Sequence, residues 1–130
     1  MNHECYVSFE IAKLLKEAGF DWKCRKCYNK GVLFDMEPDE IRTQTPQHSS
    51  YDVLAPTLDV AQRWLREVKD IDVYIFPTTN TKRGCVYEWG IKTFDRALWV
   101  EGQPYTNQYE TYEEAQEAGI KKALEIILKK

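Results

Sequence analysis

Two cysteines, Cys24 and Cys27, have the spacing in this sequence that most directly suggests chemistry. A CxxC pair lets two thiolates bind one metal ion from a tight turn, as in a zinc knuckle. Structural zinc takes four ligands, and the sequence has no second CxxC pair. The other sulfur and imidazole candidates are His3, Cys5, His48 and Cys85. Of these, Cys5 or His3 lies near the first residue and could reach over to complete a zinc site.

Two further interpretations of the same pair need other surroundings. Redox catalysis places CxxC at the start of a helix, whose dipole lowers the thiol pKa. Here the pair follows a predicted helix and lies in an alternating segment typical of a strand, which does not favour that role. Nothing in the spacing of the cysteines and the two histidines selects a nucleophile and its base. Since Arg25 and Lys26 between the thiols suit an exposed strand or turn, the sequence favours a cysteine-bearing strand, with zinc as the alternative.

Familiar catalytic signatures are absent from the sequence. It contains no GxxxxGK[ST], GxGxxG, HExxH or GxSxG motif. The adjacent acids Glu113 and Glu114 fit the start of a helix, where carboxylates stabilise the helix dipole. We therefore expect a non-catalytic protein with no cofactor other than the zinc considered above.

Aromatic residues near a predicted strand at 85–94 form a second candidate site. Tyr87 and Trp89 are predicted on one face of that strand, and Trp99 lies on the next strand. Basic residues interleave with them: Lys82, Arg83, Lys92 and Arg96. Exposed on one sheet face, the rings of Tyr87, Trp89 and Trp99 would stack bases or grip a peptide, and the interleaved basic residues would contact phosphates. The candidate surface is Tyr87, Trp89, Trp99 and Lys92. The interpretation we favour is that the rings form the core face of the sheet beneath the helices.

Local signals predict three helices. The first covers 8–18, with Ser8 as N-cap and Gly19 after its end. The second opens at Thr57 and carries an apolar stripe of Leu58, Ala61, Trp64, Leu65 and Val68. The third begins with a capping box of Thr111 and Glu114. It continues with small residues four positions apart, which let a helix lie close against a sheet: Ala115, Gly119 and Ala123.

Alternation of apolar and polar residues predicts the strands. Residues 20–28, a turn at 29–31 and the apolar run 32–34 indicate a β-hairpin. A strand from Ile71 is predicted to stop at Pro77, because proline cannot donate to a ladder, and strands at 85–94 and 98–100 follow. The polar stretch 37–56 is predicted to be a functional or mobile connection, with a short edge strand near Ile41.

These elements predict a single α+β domain over 1–130, in the order α-β-β-α-β-β-β-α with an antiparallel sheet. The composition, 43% hydrophobic and 30% charged, is that of an ordinary folded protein. The net charge of −3 gives no broad positive field, which disfavours non-specific binding to nucleic acid or an anionic membrane.

The sequence also favours an intracellular location. The first residues have no basic n-region, and Glu10 and Lys13 interrupt their apolar run, so we expect no signal peptide. No apolar run reaches transmembrane length. The four cysteines are then most simply reduced thiols, and the protein is expected in the cytoplasm without membrane contact.

Three segments resemble a family of small uncharacterised proteins encoded in prophage and other mobile-element regions of anaerobic gut bacteria: VSFEIAKLLKEAGFDWKC, LAPTLDVAQRWLREV and YETYEEAQEAGIKKALE. The resemblance covers most of the chain and leaves 37–51 and 80–106 unmatched. It implies a bacterial cytoplasm and a phage-related origin. Members need not carry the second cysteine, which weakens the case for a metal site, and the family has no assigned activity from which functional residues could follow.

Two functions follow from these observations. The first is a non-catalytic interaction module that binds a host or phage protein, through the long connection or a sheet edge. The second is a nucleic-acid accessory protein that uses the candidate surface, with zinc as a staple. Acidic charge and many aromatic residues favour a protein partner over nucleic acid. The oligomeric state is open, and a dimer is compatible with the sequence.

Overall fold

The structure is a computed structural model that describes residues 5–29, 31–35, 52–93, 99–101 and 108–129. Within these ranges the chain forms three helices: α1 (Phe9–Ala18), α2 (Leu58–Val68) and α3 (Tyr112–Leu128). It also forms six strands: β1 (Lys26–Asn29), β2 (Val32–Asp35), β3 (Asp52–Leu54), β4 (Ile71–Asn80), β5 (Gly84–Thr93) and β6 (Trp99–Glu101). Every strand pairing is antiparallel, so the predicted α+β class is confirmed.

The element order matches the prediction, with one additional short strand. β3 lies in the stretch predicted as a connection, which gives α-β-β-β-α-β-β-β-α. The strands form two three-stranded sheets, with the orders β2-β1-β3 and β4-β5-β6. The strand predicted near Ile41 and most of the 37–56 connection lie outside the described residues.

The chain divides into two compact units. The first contains Met1–Ala61 and Leu124–Lys130, and the second contains Gln62–Ala123, so the division points fall within α2 and α3. A single domain over 1–130 stays a prediction.

Helix α1 of the first unit follows its sequence signals at both ends. The Ser8 hydroxyl accepts a hydrogen bond from the Ile11 N–H at 3.2 Å, as an N-cap does. Gly19 adopts φ 94°, and its N–H bonds back to the carbonyls of the last turn. The Phe20 N–H bonds to the Leu15 carbonyl at 2.9 Å. The buried face of the helix consists of Ile11, Ala12, Leu15 and Ala18.

The hairpin predicted after α1 is present but starts later than its alternation suggested. β1 begins at Lys26, and it pairs with β2 on one side and β3 on the other. Phe20 is not part of the strand, because its N–H is hydrogen-bonded to the last turn of α1. Its ring packs against Trp22, with 6.4 Å between the ring centroids. The Tyr28 hydroxyl donates to the Val7 carbonyl at 2.8 Å, which ties β1 to the segment before α1.

In the second unit, β4 and β5 form a long hairpin of ten residue pairs, from Ile71↔Thr93 to Asn80↔Gly84. Gly84 has φ 81°, a left-handed conformation that glycine adopts without a steric penalty at this turn. Because side chains alternate along a strand, the hairpin has two faces. One face carries the buried residues Val73, Trp89 and Ile91 and lies against α3.

Pro77 was predicted to stop β4, and this prediction is wrong: the strand continues to Asn80. Tyr87, which lies opposite Pro77, exchanges both of its main-chain hydrogen bonds with Tyr109, each at 2.8 Å. In an antiparallel ladder, a residue directs its N–H and C=O to the same side. Tyr87 therefore makes no ladder bond to Pro77, so this position of β4 needs no N–H.

The two other helices also follow their sequence signals. At the start of α2, the Thr57 hydroxyl accepts a hydrogen bond from the Val60 N–H. At the other end of this helix, Val68 of the predicted apolar stripe is 48% exposed. The capping box of α3 is formed, since Thr111 Oγ1 accepts from the Glu114 N–H and Glu114 Oε1 accepts from the Thr111 N–H. Among the described residues, no helix combines the length and apolarity that a membrane crossing requires.

Close contact between α3 and the sheet depends on Gly119. A Cβ at this position would lie 2.8 Å from Val73 Cγ1 and 3.0 Å from Trp89 Cβ. Ala115 and Ala123 on the same stripe are fully buried. The prediction that small residues let this helix approach a sheet is confirmed.

Candidate functional site

Both cysteines of the CxxC pair are buried thiols. Cys24 lies in the segment before β1 and Cys27 lies on the strand, with 6% and 2% of their surfaces exposed. The Cys24 thiol donates to the Trp22 carbonyl at 3.6 Å. Burial, and to a smaller extent the neighbouring Cys27, raises the pKa of Cys24 from its ordinary value of 9.0 to about 12. At neutral pH this thiol is protonated, and the thiolate is the form that attacks electrophiles or binds metals.

The described residues supply no further metal ligand beside this pair. No group of three or more histidine, cysteine or acidic side chains among them has a metal-binding arrangement. Cys5 is half-buried and Cys85 is exposed, and all four cysteines are free thiols. His3 and His48 lie outside the described residues, so the zinc site that uses Cys24, Cys27 and either Cys5 or His3 stays a prediction.

The structure separates the four residues of the candidate surface. Trp89 is 7% exposed and lies beneath Gly119 of α3, which is the core position that we favoured. Tyr87 lies on the same strand face, half-buried, with its ring edge-on to Tyr112 at 5.9 Å. Lys92 is an odd number of positions away from both, so it lies on the opposite face, and it is exposed. Trp99 pairs with Lys92 across the β5–β6 ladder.

Two of the basic residues predicted around that surface can be placed. Lys82 and Arg83 lie at the exposed tip of the β4–β5 hairpin. Arg83 forms an ion pair with Glu110 at 3.7 Å, which satisfies part of its charge within the chain. Arg96 lies outside the described residues. On β5, Tyr87 and Trp89 therefore share one strand face and Lys92 lies on the other, and a binding role for the candidate surface stays a prediction.

The second face of the β4–β5 hairpin carries an aromatic pair that the sequence interpretation missed. The rings of Tyr74 and Phe76 stack with centroids 5.9 Å apart and planes 29° apart, and both side chains are half-exposed. Gly90 pairs with Tyr74 across the ladder. A Cβ at Gly90 would lie 2.3 Å from Tyr74 Cζ, so the hydroxyl end of the ring covers this glycine. A signal for this pair was present in the sequence of β4. Tyr74 and Phe76 alternate with the apolar residues of the core face, and this alternation predicts that both rings lie on the opposite face.

Charged residues flank this aromatic pair. Asp72 and Glu88 are half-exposed on the same face, and Lys92 is exposed opposite Asp72. Glu88 Oε2 accepts a hydrogen bond from Gln108 Nε2 at 3.5 Å. We call this surface the aromatic face and define it as Asp72, Tyr74, Phe76, Glu88, Gly90 and Lys92. Its formal charge is −1, because two carboxylates accompany one ammonium group.

The aromatic face combines flat apolar surface with accessible carboxylates, which suits an apolar or cationic group better than an anionic one. Its residues come from two strands joined in a continuous ladder, so the sheet fixes the backbone beneath the rings. No protein-family model, curated protein or solved structure matches this chain.

Proposed function

We propose that this chain is a non-catalytic binding module whose aromatic face holds a segment of a protein partner that carries a basic side chain. The observation that carries the proposal is the stacked, half-exposed pair of Tyr74 and Phe76 on the strand face opposite α3. Aromatic side chains supply large contact areas and dominate the energetics of many protein interfaces.

The aromatic face is organised before a partner arrives. Tyr74 rests over Gly90 on one side and stacks with Phe76 on the other, so its ring has little freedom left to lose. Ordering a side chain on binding costs roughly 0.5–1.5 kcal/mol. A ring that is already held in place avoids most of that cost, which favours a role in recognition.

The charges of the aromatic face favour a protein partner over nucleic acid. Phosphate groups at this face would be repelled by two carboxylates, Asp72 and Glu88, and attracted by a single lysine, Lys92. Non-specific nucleic-acid binding depends on neutralising several phosphates with cations, and this face offers too few. A lysine or arginine of a partner would instead meet the carboxylates and the ring faces, where cation–π attraction adds to the ionic one.

A bacterial cytoplasmic location and a prophage or mobile-element origin are part of the proposal. They rest on the three sequence segments described above and their resemblance to a family of mobile-element proteins. The partner would then be a host or phage protein.

Three probes added to the isotope-labelled chain test this function by NMR. One is a capped peptide of alternating arginine and valine, the second replaces arginine with glutamate, and the third is a single-stranded thymidine oligonucleotide. We expect the arginine peptide alone to shift the amide signals of β4 and β5 around Tyr74, Phe76 and Gly90. The absence of shifts on this face with every probe would contradict the proposal. Stronger shifts with the oligonucleotide would assign the face to nucleic acid instead.

Matched variants separate binding from folding in this experiment. Phe76→Ala removes half of the aromatic pair and should abolish the shifts. Val68→Ala removes an exposed apolar side chain from α2 and should preserve them. Asp72→Asn combined with Glu88→Gln keeps the rings, and it should remove the preference for the arginine peptide over the glutamate peptide.

A further inference from the structure

A pocket of about 190 Å³ lies in the first unit. It is lined by Tyr6, by residues 23–25, by residues 55–57 and by the first turn of α2. Main-chain hydrogen bonds hold these segments together. The Val7 N–H bonds to Pro56, the Leu58 N–H to Cys5 and the Ala55 N–H to Lys26, at 3.1, 2.8 and 2.9 Å. Backbone pairing therefore holds the main chain of these walls in place.

Two cations line this pocket, and none of its lining residues in the described parts of the chain is a carboxylate. Lys23 and Arg25 belong to the segment before β1 and are both exposed. Neither forms an ion pair within the described parts of the chain. The other lining residues are uncharged, and most of their surface is apolar: Tyr6, Cys24, Ala55, Pro56, Thr57 and Val60.

Further features make the pocket electropositive. The Lys26 ammonium lies 5.1 Å from the centroid of the Tyr6 ring, which itself lines the pocket. The N-terminal turn of α2 contributes the positive end of its dipole through Thr57 and Val60. The acid in that turn, Asp59, does not line the pocket. The wall thiol of Cys24 has a raised pKa and stays neutral at pH 7, so it does not repel an anion.

We propose that this pocket binds a small organic anion, with its carboxylate or phosphate between Lys23 and Arg25 and its apolar body against Tyr6, Pro56 and Val60. Charge-assisted hydrogen bonds from lysine and arginine to such groups are among the strongest in proteins. The volume is below the roughly 300–1,000 Å³ of pockets for drug-sized ligands, which limits the body to a single ring or a short chain. This site is independent of the aromatic face.

Titration of the full-length chain with simple compounds tests the pocket by NMR. Benzoate and phenyl phosphate carry an apolar ring with either acid group, and benzyl alcohol is their neutral counterpart. We expect benzoate or phenyl phosphate to shift the amides of residues 6, 23–25, 55 and 57–60 saturably, and more weakly at high salt. Whichever of these two compounds binds more tightly shows whether the pocket prefers a carboxylate or a phosphate. Benzyl alcohol binding equally well, or no saturable shift with any compound, would overturn the proposal.

A double variant with a matched control ties the binding to the two cations. K23Q/R25Q removes both exposed charges and should raise the Kd by about tenfold or more, since two charge-assisted contacts are lost. R66Q/K122Q makes the same charge change at exposed helical positions outside the pocket and should leave the Kd unchanged. Unchanged binding in K23Q/R25Q would overturn the proposal. Acetate and inorganic phosphate binding as tightly as the ring compounds would show an adventitious ion only, and would also overturn it.

Discussion

The ring of Tyr74 lies directly over Gly90 on the neighbouring strand, where a Cβ would lie within 2.3–2.7 Å of three ring and hydroxyl atoms of the tyrosine. Glycine in a strand normally weakens a sheet, because it has no side chain to pack and a large conformational entropy to lose. Here the aromatic ring of the paired residue covers the bare backbone, so the glycine and the tyrosine act as one packing unit. The aromatic face depends on this pair.

Gly90→Ala is expected to displace the Tyr74 ring and destabilise the chain by about 1–3 kcal/mol, the usual range for overpacking. The loss should fall at the low end, because the atoms in conflict belong to the end of the Tyr74 side chain and not to the backbone. Denaturant unfolding measures the change, and NMR reports the ring position. In a Tyr74→Ala background the same substitution should cost much less, and equal costs in the two backgrounds would contradict the contact.

Gly119→Ala is expected to destabilise the second unit by about 1–3 kcal/mol, although alanine is the better helix former by roughly 1 kcal/mol. The new methyl group would meet Val73 Cγ1 and the Cβ of Trp89, and a Cβ next to the backbone cannot swing away. Thermal or denaturant unfolding measures the effect. Lys122→Ala on an exposed position of α3 serves as the control and should change stability little. Adding Val73→Ala should recover part of the loss, and a stabilised Gly119→Ala would contradict the close contact.

Thiol labelling is expected to distinguish the cysteines by their surroundings. Cys85 is exposed and should react first with iodoacetamide, whereas Cys24 and Cys27 should react only as the chain opens. With a pKa of about 12 in place of 9.0, Cys24 has about a thousandfold less thiolate at pH 8. Mass spectrometry of a time course with and without denaturant measures the order. Rapid labelling of Cys24 in the folded chain would contradict its burial.

Bound zinc would protect the same thiols, so the labelling needs a second measurement. Native mass spectrometry with and without a strong chelator counts any metal ion directly. One zinc per chain, lost in both Cys24→Ser and Cys27→Ser, would show that the CxxC pair binds metal with ligands beyond those described here. A mass equal to that of the bare chain would leave burial as the source of protection.

Alkaline conditions are expected to destabilise the chain through Cys24. Its pKa is raised on folding, so the unfolded state releases this proton at a lower pH than the folded state does. The stabilising contribution is complete below about pH 9 and is lost progressively as the pH rises towards about 12. Denaturant unfolding between pH 8 and 11 measures the loss. Cys24→Ala removes the titrating group and should show a smaller decline, and equal declines would contradict the assignment.

Local signals in the sequence were enough to place the helices. The Ser8 cap, the Gly19 stop and the capping box of Thr111 and Glu114 each involve residues within a few positions of one another. Such signals do not depend on the rest of the fold, and all three are formed in the structure. The small-residue stripe on α3 was also readable, because helical spacing alone puts Gly119 on one line with its alanines.

Features that depend on pairing between distant residues were not predictable in the same way. The role of Pro77 depends on Tyr109, more than thirty positions along the chain, which takes the hydrogen bonds of Tyr87. The aromatic face depends on the register that puts Gly90 opposite Tyr74. Strand alternation placed Tyr87 and Trp89 on one face correctly, but only the packing of α3 shows that this face is the covered one.

Pro77 also affects how the sheet meets other molecules of the same protein. Among the described strands, β4 is the outer one in the order β4-β5-β6, and its odd-numbered residues direct their main-chain groups away from β5. An unbroken row of such groups would template strands from other copies, the first step towards a fibril. Pro77 removes one donor from that row. The Gln62 side chain donates a hydrogen bond to the Val73 carbonyl and itself accepts one from the Gln116 side chain, so this acceptor is already used. The outer edge of this hairpin is thereby protected against aggregation, although the strand is long and rich in β-branched and aromatic residues.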